Sequence, residues 1–282
     1  MILDTQTAVA YGVFPMAQQG GITAGYDIKI TFVTTEQIDA STRRVFHALL
    51  DDSERGHLRR LRSESGKTEY LSAHALLRIG LSSMRRVAPS AWRFKRDQFG
   101  RPRIAFPIID DQPAFSLSHT GLLVGCAFAA SGLVGFDLEK IDRFSADTPA
   151  DADSAEMMDL VSSNAEREAW LSIESAPLRA LRFYRLWTIK EALLKAAGRG
   201  LTLRPSAICI DMDNESLPIV RELPAELGEP AAWSVRNLYP TKRHIAAIAA
   251  NSGRSGVPEI HREVMEANAL SRMLNDLESG LS

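Results

Sequence analysis

The sequence predicts an α+β protein made of two halves of similar plan, each an antiparallel sheet with a long helix. Three observations lead there. Short segments of period-two alternation mark strands in two groups separated by helical stretches. The helical stretches carry apolar residues at three- and four-residue spacing. The elements run strand, helices, strands, then helices and strands again, an order that suits α+β architecture with a pseudo-two-fold plan.

Residues 1–25, rich in Gly, Gln, Ala and Thr, read as a loose leader. Tyr26 to Val33 alternates and is a half-buried strand. Helical patterns follow from Thr35 through Leu50, from about Ser53 to Leu61, and from about Thr68 to Arg86. In the last, Leu71, Ala75, Leu76, Ile79 and Met84 form the buried stripe. Trp92 to Arg96 alternates, and Gly100-Arg101-Pro102 is a turn. Phe115–His119, Leu123–Ala130 and Leu133–Glu139 are strands, the last two joined at Ser131-Gly132 as a plausible hairpin.

A Ser/Asp/Pro/Ala linker spans 145–154, and helices return over 155–172 and 176–197. Pro177 near the start and Gly198 after the end bound the second of these. Strands at 206–212, 231–238 and 243–250 complete the core. A C-terminal amphipathic helix over 258–277 presents Ile260, Val264, Leu270, Leu274 and Leu277 on one face. The expected divisions are 1–25, an N-terminal half 26–132, a C-terminal half 133–250 and an extension 251–282.

Composition narrows the function. With 282 residues, 45% of them hydrophobic, the chain can bury a sizeable core. A formal charge of −2 argues against general nucleic-acid binding. The charge is uneven: Arg43 to Arg103 holds fifteen Lys/Arg against six Asp/Glu. A basic face on an acidic protein suits an anionic ligand or partner, although a solvated helix surface gives the same count. Cys126 and Cys209 lie in apolar runs and read as small buried hydrophobes. Without a signal peptide pattern or a long apolar run, the expected location is cytoplasmic.

The chemistry gathers in two segments. In Leu133-Val-Gly-Phe-Asp-Leu-Glu139, strand periodicity sets Val134, Phe136 and Leu138 on one face and Gly135, Asp137 and Glu139 on the other. Two like charges side by side are unfavourable unless a cation or proton offsets them. On the helix, Trp187, Glu191 and Lys195 fall at i, i+4 and i+8 along one stripe. Three carboxylates with a lysine beside them suit Mg²⁺, a hard cation that shares its shell with phosphate oxygens; no His/Cys cluster favours zinc. An exposed strand end and an ordinary Glu–Lys pair would show the same spacings. Ser118 and His119 could donate to a phosphate, or His119 could be structural. Arg101 sits on a tight turn, and Arg78, in an apolar helix, is a buried phosphate ligand or a snorkelling side chain.

Two motifs then match a known family. Gly135-Phe136-Asp137-Leu138-Glu139 and Trp187-Thr188-Ile189-Lys190-Glu191-Ala192-Leu193-Leu194-Lys195 resemble the signatures of the 4′-phosphopantetheinyl transferases, the larger surfactin-synthetase type. The similarity runs from about residue 55 to 205 and takes in Gly100-Arg101-Pro102, Ser118-His119 and Gly198-Arg199-Gly200-Leu201. Phe136 is bulkier than the usual aliphatic residue, and Arg101 stands where lysine is common.

The resemblance implies transfer of the phosphopantetheine arm of coenzyme A to a serine of an acidic apo carrier protein, with the site between the two halves and a monomeric enzyme. It implies that Asp137, Glu139 and Glu191 hold Mg²⁺ and that Glu191 takes the serine proton, directly or through a water. Lys195 would neutralise or protonate the leaving phosphate. Arg78, Arg101, Ser118, His119 and Lys190 would engage the nucleotide phosphates. The alternatives are another Mg²⁺-dependent nucleotide enzyme and a non-catalytic module that binds coenzyme A or a carrier protein.

Overall fold

The computed structural model describes residues 27–141, 150–199, 202–214, 217–253 and 258–280. The expected leader over 1–25 lies outside them, as do Gly200 and Leu201 and the first half of the expected linker. The remainder of that linker is already helical.

The chain begins with β1 (Asp27–Thr34). Helix α1 (Ala40–Leu49) starts later than its apolar pattern, because the Asp39 carboxylate accepts the Thr42 N–H and caps it there. Helix α2 (Asp52–Arg60) opens on a reciprocal Asp51–Glu54 capping box, and α3 (Glu64–Met84) on Ser63. The expected turn at Gly100 joins β2 (Arg93–Arg96) to β3 (Pro102–Phe106). Strands β4 (Ala114–Thr120), β5 (Leu123–Ala129) and β6 (Leu133–Lys140) follow.

Next come α4 (Ala150–Val161), α5 (Asn164–Leu171) and α6 (Ala176–Ala197). The single helix expected over 155–172 is broken in two, because Ser163 and Glu166 form a second capping box. Gly198, at φ 67°, ends α6 in the left-handed conformation that glycine adopts most easily. Then follow β7 (Cys209–Asp211), β8 (Ile219–Glu222), β9 (Ser234–Thr241) and β10 (His244–Asn251). The described chain closes with β11 (Glu259–Glu266) and α7 (Ala267–Gly280).

Two sheets carry the core, in the orders β11-β1-β5-β4 and β6-β10-β9. Ile28, Ile30 and Phe32 of the first pack against Phe136, Leu138 and Ile248 of the second. Phe32 and Phe136 meet edge to face with centroids 5.7 Å apart. The bulk at Phe136 is therefore absorbed between the sheets, opposite Gly125, where a methyl would meet its ring. On the outer side of the first sheet, α3 buries Leu76 and Ile79 against Val124 and Phe128. On the outer side of the second, α6 buries Ile189 and Leu193 with Ala247 and Ala249. The layers run helix, sheet, sheet, helix.

Three expectations are corrected. Strands β5 and β6 are not a hairpin: β5 pairs with β1 and β4, whereas β6 pairs with β10. Gly132, at φ 83°, turns the chain from one sheet to the other. The helix expected over 258–277 is a strand as far as Glu266 and a helix only beyond it. β-branched Ile260 and Val264 suit a strand, while Leu270 and Leu274 are buried on the true helix. The sheets are also not wholly antiparallel, since β11 runs parallel to β1.

Arg78, expected at a phosphate, is fully buried instead. Its Nη2 meets Glu54 Oε2 at 2.7 Å and its guanidinium lies over the Phe94 ring. His74 Nδ1 meets the other Glu54 oxygen at 2.8 Å. Burial alone would raise the Glu54 carboxyl, but the hydrogen bond and charge of His74, then the charge of Arg78, outweigh it and hold it at about 2. The arginine thus ties together α2, α3 and β2.

Glu54→Gln is expected to cost about 3–5 kcal/mol at neutral pH by leaving Arg78 buried and unpaired, read from denaturant unfolding. Because the folded carboxyl is depressed, its stabilisation is present above the ordinary value of 4.5 and is lost as pH falls towards 2. The gap between wild type and variant should therefore close over that acid window.

Candidate active site

The site is built where α6 lies against β6. Gly135 makes that contact possible, since a methyl there would overlap the Ala192 carbonyl oxygen and the Ala196 nitrogen of α6. Period two then points Asp137 and Glu139, like Gly135, at the helix, while Phe136 and Leu138 turn into the space between the sheets. The helical stripe of Trp187, Glu191 and Lys195 meets them in reverse order. Trp187 Nε1 donates to Glu139 Oε1 at 3.2 Å, and Lys195 Nζ to Asp137 Oδ1 at 2.6 Å.

A third element contributes. The edge strand β4 lies beside β6, tied to it by Ser116 Oγ, which accepts the Phe136 N–H at 2.9 Å. Two residues along the same face, Ser118 Oγ donates to Asp137 Oδ1 at 3.2 Å and accepts from Lys195 Nζ at 3.1 Å. Asp137, Lys195 and Ser118 form a closed polar triangle between β4, β6 and α6.

The electrostatics are those of a site short of positive charge. Asp137, Glu139 and Glu191 face one another, and one ammonium, that of Lys195, serves all three. Burial, then the charge of Asp137, pushes the Glu139 and Glu191 carboxyls up from the usual range. Asp137 Oδ2 and Glu191 Oε1 are buried without a hydrogen-bond partner. Orphaned anionic oxygens of this kind fit a hard cation, which would supply the charge and the ligand field that both lack. The fit needs local adjustment. Among the described residues, the group whose ligand atoms all lie within 4.8 Å of one another is Asp27, Glu259 and His261, an exposed surface cluster. Asp137 is instead paired with Lys195, whose charge also acts on Glu139 and Glu191.

The other expected residues are distributed elsewhere. His119 projects from the opposite face of β4, towards α3, where its Nδ1 lies 2.9 Å from Glu69 Oε2. Arg101 caps the end of α6: its Nη1 donates to the Ala196 carbonyl at 2.7 Å, and its Nη2 reaches the carbonyls of Phe115 and Val134. Burial, then the neighbouring charge of Arg103, lowers this guanidinium to about 10.

Lys190 is corrected. Although it lies one residue from Glu191, it points into the core and donates to Glu166 and to the carbonyls of Val161, Pro205 and Ile208 at 2.6–3.1 Å. A helix step of about 100° turns adjacent residues to different faces, so motif membership and site membership separate here. Two partners were missed in the sequence. Glu166 was legible, as Ser163-x-x-Glu166 is a capping-box pattern; Glu69, fifty residues from His119, gave no local signal.

A two-sheet α+β protein with acids of a Gly-x-Asp-x-Glu strand set against a Trp-x-x-Lys-Glu helix defines a class. A family model described as the 4′-phosphopantetheinyl transferase superfamily matches residues 133–249, which contain β6, α6 and β10. A phosphopantetheinyl transferase of Thraustochytrium sp. is 30% identical over 187 residues, 62% of each chain. The 4′-phosphopantetheinyl transferase HetI of Nostoc sp. is 26% identical over 72% of this chain and 78% of its own. The 4′-phosphopantetheinyl transferase Sfp of Bacillus subtilis is 28% identical over 56% and 64%. The chain thus spans about three fifths of the length of the Thraustochytrium and Bacillus relatives. A holo-[acyl-carrier-protein] synthase of Thermotoga maritima aligns at 17% identity and a TM-score of 0.33, over 44% of this chain and 65% of its own, too slight a likeness to bear on the fold. Over residues 133–249 the chain is similar to the 4′-phosphopantetheinyl transferase superfamily, and the relatives it matches include Sfp-type enzymes. No helix among the described residues is long and apolar enough to cross a membrane.

Gly135→Ala is expected to lower stability by about 1–3 kcal/mol by forcing α6 away from β6, seen as a lower melting temperature. Lys190→Met should cost about 3–5 kcal/mol, because it leaves Glu166 charged and buried. Adding Glu166→Gln should return part of that loss, and denaturant midpoints of the two single variants and the double variant test it.

Proposed function

We propose that the protein is an Mg²⁺-dependent 4′-phosphopantetheinyl transferase that moves the phosphopantetheine arm of coenzyme A to a serine of an apo carrier protein. The product released is adenosine 3′,5′-bisphosphate. The observation that carries this reading is the cluster of three carboxylates on β6 and α6 with two buried, unpartnered oxygens beside a single lysine.

Asp137, Glu139 and Glu191 would hold the ion, which supplies positive charge against the pyrophosphate of coenzyme A. The chain's own groups account for the rest. Glu191, with its carboxyl raised by burial and by Asp137, is suited to accept a proton, directly or through a water. As the serine oxygen forms its bond to phosphorus, the bond from that phosphorus to the bridging oxygen breaks, and the electron pair leaves on the bisphosphate. Lys195, at the centre of the acids, would leave Asp137 for the developing phosphate charge. Ser118 is within reach to orient that ammonium. His119, partly exposed on the opposite face of β4, would take a phosphate of the nucleotide portion, while the Arg101 guanidinium is held by backbone carbonyls.

On this reading the two helix-covered sheets are the pseudo-symmetric halves, divided near residue 132, with the site between them in one monomeric chain. The basic stretch from Arg43 to Arg103 would steer an acidic carrier domain of polyketide, nonribosomal peptide or fatty acid synthesis, in the cytoplasm.

Incubation with coenzyme A, Mg²⁺ and apo carrier domains, followed by intact mass spectrometry, tests the proposal. One phosphopantetheine should be gained per carrier, with EDTA abolishing the gain and Glu191→Ala slowing it about 100-fold or more. Binding of coenzyme A with no transfer to any carrier would point instead to a non-catalytic module, and absence of binding would sink the assignment.

A further inference from the structure

Glu69 is acidic, only 9% exposed, and far in sequence from every motif that marks the site. It lies on α3 and faces the end of β4. Its Oε2 is 2.9 Å from His119 Nδ1, and its Oε1 accepts the Leu122 backbone N–H at 2.9 Å. Burial would raise this carboxyl, yet the hydrogen bonds from His119 and Leu122 outweigh it and hold it below the usual range, so the group is ionised.

The second bond matters because of the backbone it secures. Gly121 and Leu122 take φ of 54° and 68°, and Leu122 is the one non-glycine residue with positive φ among the described residues. Such a conformation costs about 1–3 kcal/mol and persists where its surroundings fix it. Leu122 is tied at both ends: its N–H to Glu69, and its carbonyl to the N–H and hydroxyl of Thr35 at 2.9 and 3.0 Å. One carboxylate therefore holds the imidazole and the turn that follows it.

An ionised carboxylate has no proton to donate, so Nδ1 of His119 is the donor and Nε2 is the nitrogen left for a ligand. The imidazole side chain is 41% exposed, so a ligand can approach it. A phosphate also only accepts, so a ring bound to one carries a proton on each nitrogen, and the carboxylate behind it balances that charge. We propose that Glu69 is a positioning residue that fixes the Nδ1–H of His119, orients the ring and balances its charge when Nε2 is also protonated, so that Nε2 donates to a phosphate of the nucleotide co-substrate. The identity of that ligand rests on the transferase reading; the positioning itself does not.

The experiment combines ¹⁵N imidazole spectra of the full chain with coenzyme A kinetics. Wild type should show His119 as the Nδ1–H form. Glu69→Gln, whose amide can also donate, should give a mixture of tautomers and raise KM for coenzyme A about tenfold with kcat within about twofold. His119→Ala should raise KM similarly, and the double variant no further. Glu69→Asp, which keeps the acceptor on a shorter arm, should restore the Nδ1–H form and part of the KM. Unchanged His119 signals in Glu69→Gln, or fully additive KM effects, would overturn the proposal. If wild type neither binds nor uses coenzyme A, the transferase reading fails, and the imidazole signals alone then decide the positioning claim.

Discussion

The close approach of α6 to β6 is the contact on which the site depends. A bare Cα at Gly135 lets the helix backbone settle onto the strand, and that distance decides whether carboxylates on the two elements can share one small volume. The apolar sides of the same elements supply the hold: Phe136 and Leu138 between the sheets, Ile189 and Leu193 under the helix. Burial of such side chains contributes about 1.5–3 kcal/mol each, enough in sum to keep like charges together that would otherwise part. The acids are a strain that the core tolerates because the strand's two faces have separate duties.

The lysines of α6 show how one helix distributes cations. Lys190 is spent within the fold, where four acceptors enclose it against α4 and the segment before β7. Lys195, one helical turn beyond Glu191, stays partly accessible and is shared between an acid and a hydroxyl. A permanently enclosed ammonium cannot follow charge as it moves from one atom to another; a partly exposed one with a long stem can. The same chemistry thus becomes structure or machinery according to the face of the helix on which it falls.

Much of this was legible in the chain because the governing signals are local. Alternation along residues 133–139 and the four-residue spacing of Trp187, Glu191 and Lys195 say which side chains share a face, and across those faces Trp187 bonds Glu139 and Lys195 bonds Asp137. The same reasoning failed where partners lie far away. Nothing near Arg78 announces Glu54 as its neighbour, and nothing near His119 announces Glu69. The apparent hairpin at Ser131-Gly132 failed for a related reason, since a tight turn does not say whether the next strand joins the same sheet. The segment after residue 258 misled because leucines of a real helix extended a pattern begun by a strand that pairs with β1.

That pairing shapes how the molecule can be made. Thr31 of β1 donates to Glu263 of β11 across 232 positions of sequence, and α7 then packs against α1 and α3. During synthesis, the first sheet keeps an open edge until nearly all of the second has emerged. The two sheets are therefore not completed in turn: the outermost strand of the first is delivered after every strand of the second. Ordering so long a loop before its contacts form favours slow closure and prolongs the time in which β1 exposes unsatisfied backbone groups to other chains.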